Sequence, residues 1–219
     1  MAVPPLSLPQ CLVAVATALQ GSAAELNRLD GYAGDGDLGV TMSGVAKVLE
    51  EVAAERGGTG AAELLSSCAS EIARRAPSTS GTLTATAFLG ASKALSSAAA
   101  DKGAGEDAPG TEVLQLCFAA AMEGVQARGK ASVGDRTVVD GLEAVCASLS
   151  KSVARGSAVT EALRDAAAAA SRAAEATAAM VPKIGRASWV AERAIGNPDA
   201  GCTALAIALG AVAALATGT

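Results

Sequence analysis

Three aspartates stand close together near the start of the chain, in the stretch LDGYAGDGDLGVTM at residues 29–42. Asp30, Asp35 and Asp37 share eleven positions with four glycines, in a chain otherwise crowded with alanine and leucine. Carboxylates about 3–4 Å apart cannot all stay ionised without a counter-cation. Glycine also raises the entropy that is lost when a loop becomes ordered. The stretch therefore predicts a bound cation.

The spacing of the aspartates favours Mg²⁺ over Ca²⁺. If Asp30 were the first position of an EF-hand loop, Thr41 would stand where the bidentate glutamate belongs. Three carboxylates with free coordination positions suit Mg²⁺, which takes a few protein oxygens together with phosphate and water. The alternative from these residues alone is a solvated turn in which Asp35 or Asp37 caps the next helix.

Four further stretches suit phosphate. The stretches 39–41 and 78–82 each lead into a helix, whose first free amides favour an anion, although neither contains the GK[ST] of a P-loop. GDRT at 134–137 and GRAS at 185–188 each supply an arginine, which binds phosphate through a planar fork. Taken singly, the hydroxyl-rich start at 78–82 indicates plain N-capping, and each arginine indicates a surface salt bridge.

The composition indicates an all-α protein. Hydrophobic residues make up 51% of the 219 residues, aromatic residues make up 2%, and alanine dominates several stretches. Alanine is the best helix former, whereas alternating strand patterns are scarce. A net charge of −5, without aromatic residues among basic clusters, argues against nucleic-acid binding.

The absence of histidine limits the chemistry further, because it excludes an imidazole base and a histidine–metal site. Any metal must then be held mainly by oxygen ligands. Five scattered cysteines form no CxxC pair: Cys11, Cys68, Cys117, Cys146 and Cys202. We expect reduced thiols in the helices of a cytoplasmic protein rather than a zinc site or disulfides.

Neither end of the chain is expected to enter a membrane. The N-terminus lacks the basic region of a signal peptide, and its apolar residues recur at helical spacing instead. The last twenty residues are uncharged and long enough to span a bilayer. Their alanine, glycine and threonine content, without flanking basic or aromatic anchors, favours a buried core helix.

Start and stop signals divide the chain into eight helices that form a single domain over residues 1–219. The predicted helices cover about 8–29, 42–56, 61–75, 82–101, 111–128, 137–154 and 158–180, and a final helix follows residue 201. KGAGEDAPG at 102–110 is a predicted surface loop because of its glycine, proline and charge content.

The order of these helices predicts where the loops lie. Long helices joined by short loops form an antiparallel bundle or a closed helical barrel. In an up-and-down arrangement, loops separated by an even number of helices lie at the same end. The loops at 30–41, 77–82, 129–137 and 185–201 meet this condition, so we expect them on one rim. Four such loops on one rim make Mg–polyphosphate binding the joint explanation of their carboxylates, hydroxyls and arginines.

Three motifs carry a family resemblance. LDGYAGDGDLG, RGKASVGDRTVVDGL and GRASWVAERAIGNPDAG, in this order, resemble the nucleotide-binding L subunit or domain of the dihydroxyacetone kinases. The resemblance spans essentially the whole chain. It implies an eight-helix antiparallel up-and-down barrel with the nucleotide site at one rim, consistent with the arrangement expected above.

The resemblance also implies roles for individual residues. Asp30, Asp35 and Asp37 would hold two Mg²⁺ ions that bridge the phosphates of ADP or ATP. The implied nucleotide contacts are Leu38, Gly39, Val40, Thr41, Ser80 and Gly81 at the phosphates, Gly129 and Val138 at the adenine, and Arg186, Asp199, Ala200 and Gly201 closing over the nucleotide. The three aspartates and Arg186 form the implied catalytic set, because the ions and the arginine neutralise charge as the phosphoryl group moves.

A partner follows from the same resemblance. In this family, a separate K subunit or domain holds dihydroxyacetone through a covalent bond to histidine. Since this chain has no histidine, we expect it to be half of a kinase that needs a K partner. ADP recharged by a phosphocarrier protein and freely exchanging ATP both stay open as donors. A related small ketose as acceptor and a homodimer stay open as well.

The chain departs from the family pattern at three positions and in one stretch. Leu38, Thr41 and Val138 stand where His, Asn and Met are frequent, and PSTSGT at 77–82 replaces a run of small glycines. A backbone contact at Leu38 would survive this change, and a side-chain contact would not. An alternative function is a regulatory nucleotide-binding module that binds a kinase partner or a transcription regulator without catalysis. The chain is also compatible with the C-terminal part of a fused kinase.

Overall fold

The computed structural model describes residues 6–102 and 110–218, and this part of the chain consists of helices and the turns that join them. Its α-helices are α1 (Leu8–Gly21), α2 (Ala23–Ala33), α3 (Leu38–Arg56), α4 (Ala61–Arg75), α5 (Thr79–Lys102), α6 (Thr111–Gly129), α7 (Val138–Arg155), α8 (Val159–Ala176), α9 (Ala191–Ala194) and α10 (Ala200–Thr217). Short 3-10 turns cover Thr177–Ala179 and Arg186–Val190. The all-α class is confirmed. Most of the predicted loop at 102–110 lies outside the described residues.

The first predicted helix is two helices in the structure, so the prediction of one helix over 8–29 was wrong. The chain turns at Gly21 and Ser22, where the Ser22 amide closes α1 by donating to carbonyl groups of its last turn. The apolar pattern continues through this turn because both helices bury leucines, such as Leu19 and Leu26. Periodicity alone therefore does not reveal the break.

Three other helix boundaries differ from their predictions, and one of them is the start of α5 at Thr79, three residues before the predicted start. α3 begins at Leu38, one turn before the predicted start, because the Asn27 side chain accepts amide hydrogens of its first turn. α8 ends at Ala176 rather than near Met180, and the chain continues as a 3-10 turn in which the Met180 amide donates to the carbonyl of Thr177. Such turns are common at helix ends.

Eight long helices contact one another in a closed cycle. α3 packs on α1 and α4, and each helix from α5 to α8 packs on the one before it. α10 then packs on both α8 and α1, which closes the cycle, while the short α2 lies mainly on α3. This neighbour pattern is that of a closed helical barrel and agrees with the predicted order.

Hydrogen bonds between helices show that sequence neighbours run antiparallel. Ser92 Oγ in α5 donates to the carbonyl of Ala62 at the start of α4 over 2.7 Å. Gln115 in α6 donates in the same way to Ser150 Oγ in α7 over 3.1 Å. In each pair the two residues are roughly equally far from the intervening turn, as antiparallel helices require. The N-termini of α3, α5, α7 and α10 therefore lie at one end, which we name the rim.

The core has a leucine-rich part and an alanine-rich part. The first lies among α1 to α4, and its largest fully buried side chains are Leu26, Leu49, Leu64 and Ile72. The second joins α7, α8 and α10 and contains Val145, Leu149, Leu209, Ala162, Ala166 and Ala170. Alanine side chains let helix axes approach closely, which explains how a barrel with only 2% aromatic residues closes.

α10 is the one helix in the described residues that is long and apolar enough to cross a membrane. It packs against α1, α7 and α8, and within it only Gly210 and Thr217 are exposed. Its small apolar residues are therefore used for packing inside the barrel, as predicted for a core helix.

The thiols provide a test of this packing. All five cysteines are free and lie in helices, and burial raises the pKa of Cys11 to about 11 and that of Cys68 to about 12. Because the thiolate is the reactive form, we expect Ellman's reagent at about pH 8 to modify at most the partly exposed Cys117 and Cys146, and slowly. Denaturation should expose all five thiols. Rapid modification of three or more thiols in the folded protein would contradict the packing described here.

Candidate functional site

The three aspartates of the predicted cation site lie together in the structure. One carboxylate oxygen from each of Asp30, Asp35 and Asp37 lies within 4.8 Å of the others. Asp30 is partly buried near the end of α2, whereas Asp35 and Asp37 are exposed in the turn before α3. Oxygen atoms at this spacing are the kind of donor set that a hard divalent cation takes.

Asp30 also shapes the turn that carries the other two aspartates. Its Oδ2 accepts the amide hydrogens of Gly36 at 2.9 Å and of Asp37 at 3.0 Å. Gly36 has a φ of +77°, and a Cβ added at Gly34 would lie 2.8 Å from Asp30 Oδ1. The two glycines are therefore needed because the turn brings Asp35 and Asp37 back against Asp30.

Arg186 compensates part of this negative charge. Its Nη1 donates to Asp35 Oδ2 at 2.6 Å and its Nη2 donates to Oδ1 at 3.1 Å. The guanidinium stabilises the ionised carboxylate and so lowers the pKa of Asp35 below its ordinary value. Since both oxygens of Asp35 contact Arg186, a cation that takes Asp35 as a ligand has to share it with the guanidinium or displace it.

Asn27, which is not among the predicted site residues, caps α3. Its Oδ1 accepts the amide hydrogens of Gly39 at 2.6 Å and of Val40 at 3.3 Å. These two amides are therefore not free, contrary to the expectation for this helix start. The Leu38 side chain is buried in the core, so a ligand contact there falls to its backbone. The Asn27 contact has no local signal because it joins residues on both sides of the aspartate turn.

Ser78 caps α5 and links it to α3. Its Oγ accepts the amide hydrogen of Gly81 at 3.0 Å and a hydrogen bond from Thr41 Oγ1 at 3.2 Å. The N-capping interpretation of this hydroxyl-rich stretch is confirmed, and Ser80 lies half-buried in the same turn. A Cβ at Gly81 would lie 2.0 Å from the carbonyl oxygen of Ala76, so only glycine allows this close approach.

Arg136 has neither the phosphate-facing position nor the surface salt bridge expected for it. The residue is 3% exposed. Its Nε donates to the carbonyl of Thr177 at 3.0 Å, and its Nη2 donates to the carbonyls of Ala194 and Asn197 at 2.8 and 2.7 Å. This arginine therefore joins the turn before α7 to the chain that precedes α10.

Four of the remaining predicted nucleotide residues lie where α7 and α10 begin side by side. Asp199 caps α10 by accepting the amide hydrogen of Cys202 at 2.8 Å, and burial raises the pKa of its carboxyl group. Ala200 is buried. Gly201 lies close to Val138, as shown by the 3.3 Å that would separate a Cβ added to Gly201 from Val138 Cβ. Small residues here let the two helix starts approach closely.

Direct contacts connect all four predicted loops. They join Thr41 with Ser78, Arg136 with Ala194, and Asp35 with Arg186. The structure therefore brings the polar loops together at the rim, as the helix order predicts. The result is a surface that carries three carboxylates, the exposed Arg186 and Arg193 and several hydroxyl groups, a set that suits a metal ion with phosphate groups.

A groove of about 580 Å³ lies elsewhere, between α7 and α8. Alanines form its floor, and Arg155 at its edge is paired with Asp165 at 2.7 Å. It shares no residue with the four rim loops. Its other charged lining residues are Lys151 and Arg172, and it offers no second carboxylate, so we assign the metal chemistry to the rim.

Comparisons with known proteins bear on this rim. The model of the DAK2 domain family matches residues 32–214. The chain is 37% identical over 196 residues to the L-erythrulose kinase of Pectobacterium atrosepticum, which covers 89% of this chain and 32% of that protein. It is 32% identical over 181 residues to the ADP-binding subunit DhaL of the PEP-dependent dihydroxyacetone kinase of Escherichia coli, which covers 82% of each. The chain thus spans about a third of the length of the first relative.

The fold also resembles a solved structure. The crystal structure of the dihydroxyacetone kinase from C. freundii in complex with AMP-PNP and Mg²⁺ matches 94% of this chain and 33% of that chain. The TM-score is 0.70 and the sequence identity is 25%. The match therefore extends over nearly all of the helical barrel.

Proposed function

Because this chain belongs to the DAK2 domain family, we propose that it is the nucleotide-binding component of a kinase for a small ketose. It binds ADP or ATP with Mg²⁺ and passes a phosphoryl group to an acceptor that a K subunit or domain holds. The observation that carries the proposal is the carboxylate cluster on the rim, where Asp30, Asp35 and Asp37 approach within 4.8 Å beside Arg186.

The donor set of this cluster fits Mg²⁺. That ion takes carboxylates together with phosphate oxygens and water, and it neutralises charge on a phosphoryl group during transfer. The C. freundii kinase structure with AMP-PNP and Mg²⁺ and the E. coli ADP-binding subunit support this assignment. We propose two Mg²⁺ ions at Asp30, Asp35 and Asp37, the number that the family resemblance implies.

The side chains around the cluster bind and orient the phosphates. Asp30 maintains the turn through the amides of Gly36 and Asp37, so that the other carboxylates stay in reach of the ions. With a cation bound at Asp35, the Arg186 guanidinium would be available to donate to a phosphate oxygen, because its planar fork suits either anion.

The proposed nucleotide contacts follow the predicted set. They are Leu38, Gly39, Val40, Thr41, Ser80 and Gly81 at the phosphates, Gly129 and Val138 at the adenine, and Asp199, Ala200 and Gly201 with Arg186 over the nucleotide. Thr41 and Ser80 contribute hydroxyl groups, whereas the amides of Gly39, Val40 and Gly81 already donate to capping side chains. Gly39 and Gly81 therefore shape the two helix starts rather than supply free donors, because an added Cβ at either residue would meet a backbone carbonyl.

The acceptor is held outside this chain. With no histidine in the sequence, a ketose bound covalently to histidine has to lie on another domain or subunit. Relatives named for L-erythrulose and for dihydroxyacetone support a small ketose as the acceptor class. The phosphoryl donor is ATP that exchanges freely, or ATP that a phosphocarrier protein regenerates from the bound ADP. We propose that the reaction takes place in the cytoplasm.

Reconstitution tests this function. The purified chain, mixed with a K subunit, Mg²⁺, ATP and either dihydroxyacetone or erythrulose, is expected to yield the phosphorylated ketose, measured by mass spectrometry. The K subunit alone should yield none, because it lacks the nucleotide site. A chain that binds Mg–ADP but yields no product with K subunits for either ketose would support the regulatory module instead. A chain that binds no nucleotide would refute both functions.

A further inference from the structure

We propose that Arg136 is a positioning residue that holds Arg186 at the aspartates. Between α8 and α10 the chain leaves the barrel at Ala178 and returns at Gly196, whose amide donates to the carbonyl of Ala178 at 2.8 Å. We name this stretch, 178–196, the rim segment. The inference deepens the proposed function, and its consequence for nucleotide binding rests on that function.

Arg136 joins the two ends of the rim segment. Its Nε bonds to the carbonyl of Thr177, just before the segment, at 3.0 Å. Its Nη2 bonds to the carbonyls of Ala194 and Asn197, at the other end, at 2.8 and 2.7 Å. A buried guanidinium that donates to three carbonyls of both chain stretches fixes their separation, because charge-assisted hydrogen bonds are strong where water is excluded.

The backbone of Arg136 is itself held in place. The residue has a φ of 62°, in the left-handed region that non-glycine residues seldom adopt. The next residue, Thr137, caps α7, and Asp140 accepts the amide hydrogens of both Gly134 and Thr137. Such a conformation persists only where the surroundings determine it. The turn before α7 therefore aims the Arg136 side chain in one direction.

The rest of the rim segment reaches the aspartate turn and the turn before α7. Arg186 contacts Asp35, and Arg193 Nη2 donates to a carbonyl of α2 at 2.9 Å. The Lys183 amide donates to the carbonyl of Asp135 at 3.2 Å. Both arginines are exposed, and ion pairs of exposed side chains hold a segment weakly. The position of Arg186 therefore depends on how well the ends of the segment are fixed.

An arginine is needed at position 136 because its fork presents several N–H groups in one plane. A lysine ammonium in the same place cannot donate to both ends of the segment in this geometry. Loosening the ends leaves the rim segment more conformations, which lowers the fraction of time that Arg186 spends at the site. We expect Arg136→Lys to weaken Mg–ADP binding about tenfold, because substitution of a residue that orients a binding residue typically lowers affinity by about that factor.

The first test needs no nucleotide, so it stands apart from the proposed function. Trp189 is the only tryptophan of the chain, lies in the rim segment and is 81% exposed. In Arg136→Lys, we expect lower fluorescence anisotropy of Trp189 and faster trypsin cleavage after Arg186. Leu149→Ala, which opens the core in the far half of α7, is the matched control and should change neither quantity. If Arg136→Lys had the same Trp189 anisotropy and the same rate of trypsin cleavage as the wild type, the proposal would be overturned.

A second variant covers the case in which Arg136→Lys does not fold. Asp140→Asn weakens the turn before α7 and leaves the Arg136 side chain unchanged. It is expected to lower the Trp189 anisotropy by a smaller amount, because the turn then aims Arg136 less firmly. An anisotropy equal to that of the wild type would count against the proposal in the same way.

The second test separates positioning from a general loss of structure. Titration calorimetry of Mg–ADP binding would compare four proteins: the wild type, Arg136→Lys, Arg186→Ala and the double variant. If Arg136 acts through Arg186, Arg136→Lys lowers the affinity for Mg–ADP about tenfold in the wild-type background. In the Arg186→Ala background the same substitution leaves the affinity nearly unchanged. Equal losses in both backgrounds would overturn the positioning role. A wild-type chain that binds no Mg–ADP would instead refute the proposed function.

Discussion

Replacing Asp35 by alanine is expected to weaken Mg²⁺-dependent ADP binding by at least about 100-fold, while the fold persists. The loss should exceed the roughly 10- to 100-fold effect of replacing a residue that only orients a metal ligand, because Asp35 is itself a proposed ligand. The fold should persist because the carboxylate is exposed and its ion pair is with the exposed Arg186. Titration calorimetry measures the affinity, and circular dichroism with thermal unfolding checks the structure.

Asp165→Ala is the matched control for this prediction. Asp165 is also partly exposed and also paired with an arginine, Arg155, at 2.7 Å, but it lies on the groove between α7 and α8. Its replacement should leave ADP affinity unchanged. The effect at Asp35 should also disappear when Mg²⁺ is removed, because the carboxylate acts through the cation. Unchanged affinity in Asp35→Ala would remove this residue from the site.

Replacing Gly39 by alanine is expected to destabilise the protein by about 3 kcal/mol, at the upper end of overpacking effects. An added Cβ would lie 1.9 Å from the carbonyl oxygen of Ala23 and 2.7 Å from Asn27 Oδ1. The first of these atoms belongs to the α2 backbone, so relief requires α2 and α3 to separate. Asp30 lies on α2, and the variant should therefore also bind Mg–ADP less tightly. Urea unfolding gives the stability change, and titration calorimetry gives the affinity.

Gly44→Ala, on the same helix, is the control for Gly39→Ala. An added Cβ at Gly44 meets nothing within 4 Å, so no backbone has to move. Alanine is the better helix former, and this variant should be more stable by about 0.5–1 kcal/mol. If Gly39→Ala and Gly44→Ala changed the free energy of unfolding by the same amount, the close approach of α2 to α3 would not explain the need for glycine at position 39.

Much of the helix pattern could be read from the sequence. The predicted helix over 61–75 agrees with α4 at both ends, and the family resemblance to a DhaL-type nucleotide-binding domain is confirmed by the DAK2 match. Glycine, proline and capping residues mark helix ends locally, and the even number of helices between loops determines which loops share an end. This count places the aspartate loop and the loop that carries Arg186 at the same rim.

The errors lie where distant residues decide the outcome. The break at Ser22 was missed because leucines on both sides keep the helical period. Asn27 was missed because its partners, Gly39 and Val40, follow the aspartate turn rather than its own helix. Arg136 was expected among the rim arginines because a sequence shows a charge but does not show which carbonyl groups surround it.

The sequence by itself determined the all-α class, the limits of most long helices and the placement of the acidic and glycine-rich loops at one rim. These features depend on local propensity and on helix order, which a linear sequence contains. Only the tertiary structure decided that Arg186 reaches Asp35 and that Arg136 is buried against Thr177. Those contacts join residues 151 and 41 positions apart, and they form only when the closed barrel brings the loops within hydrogen-bonding distance.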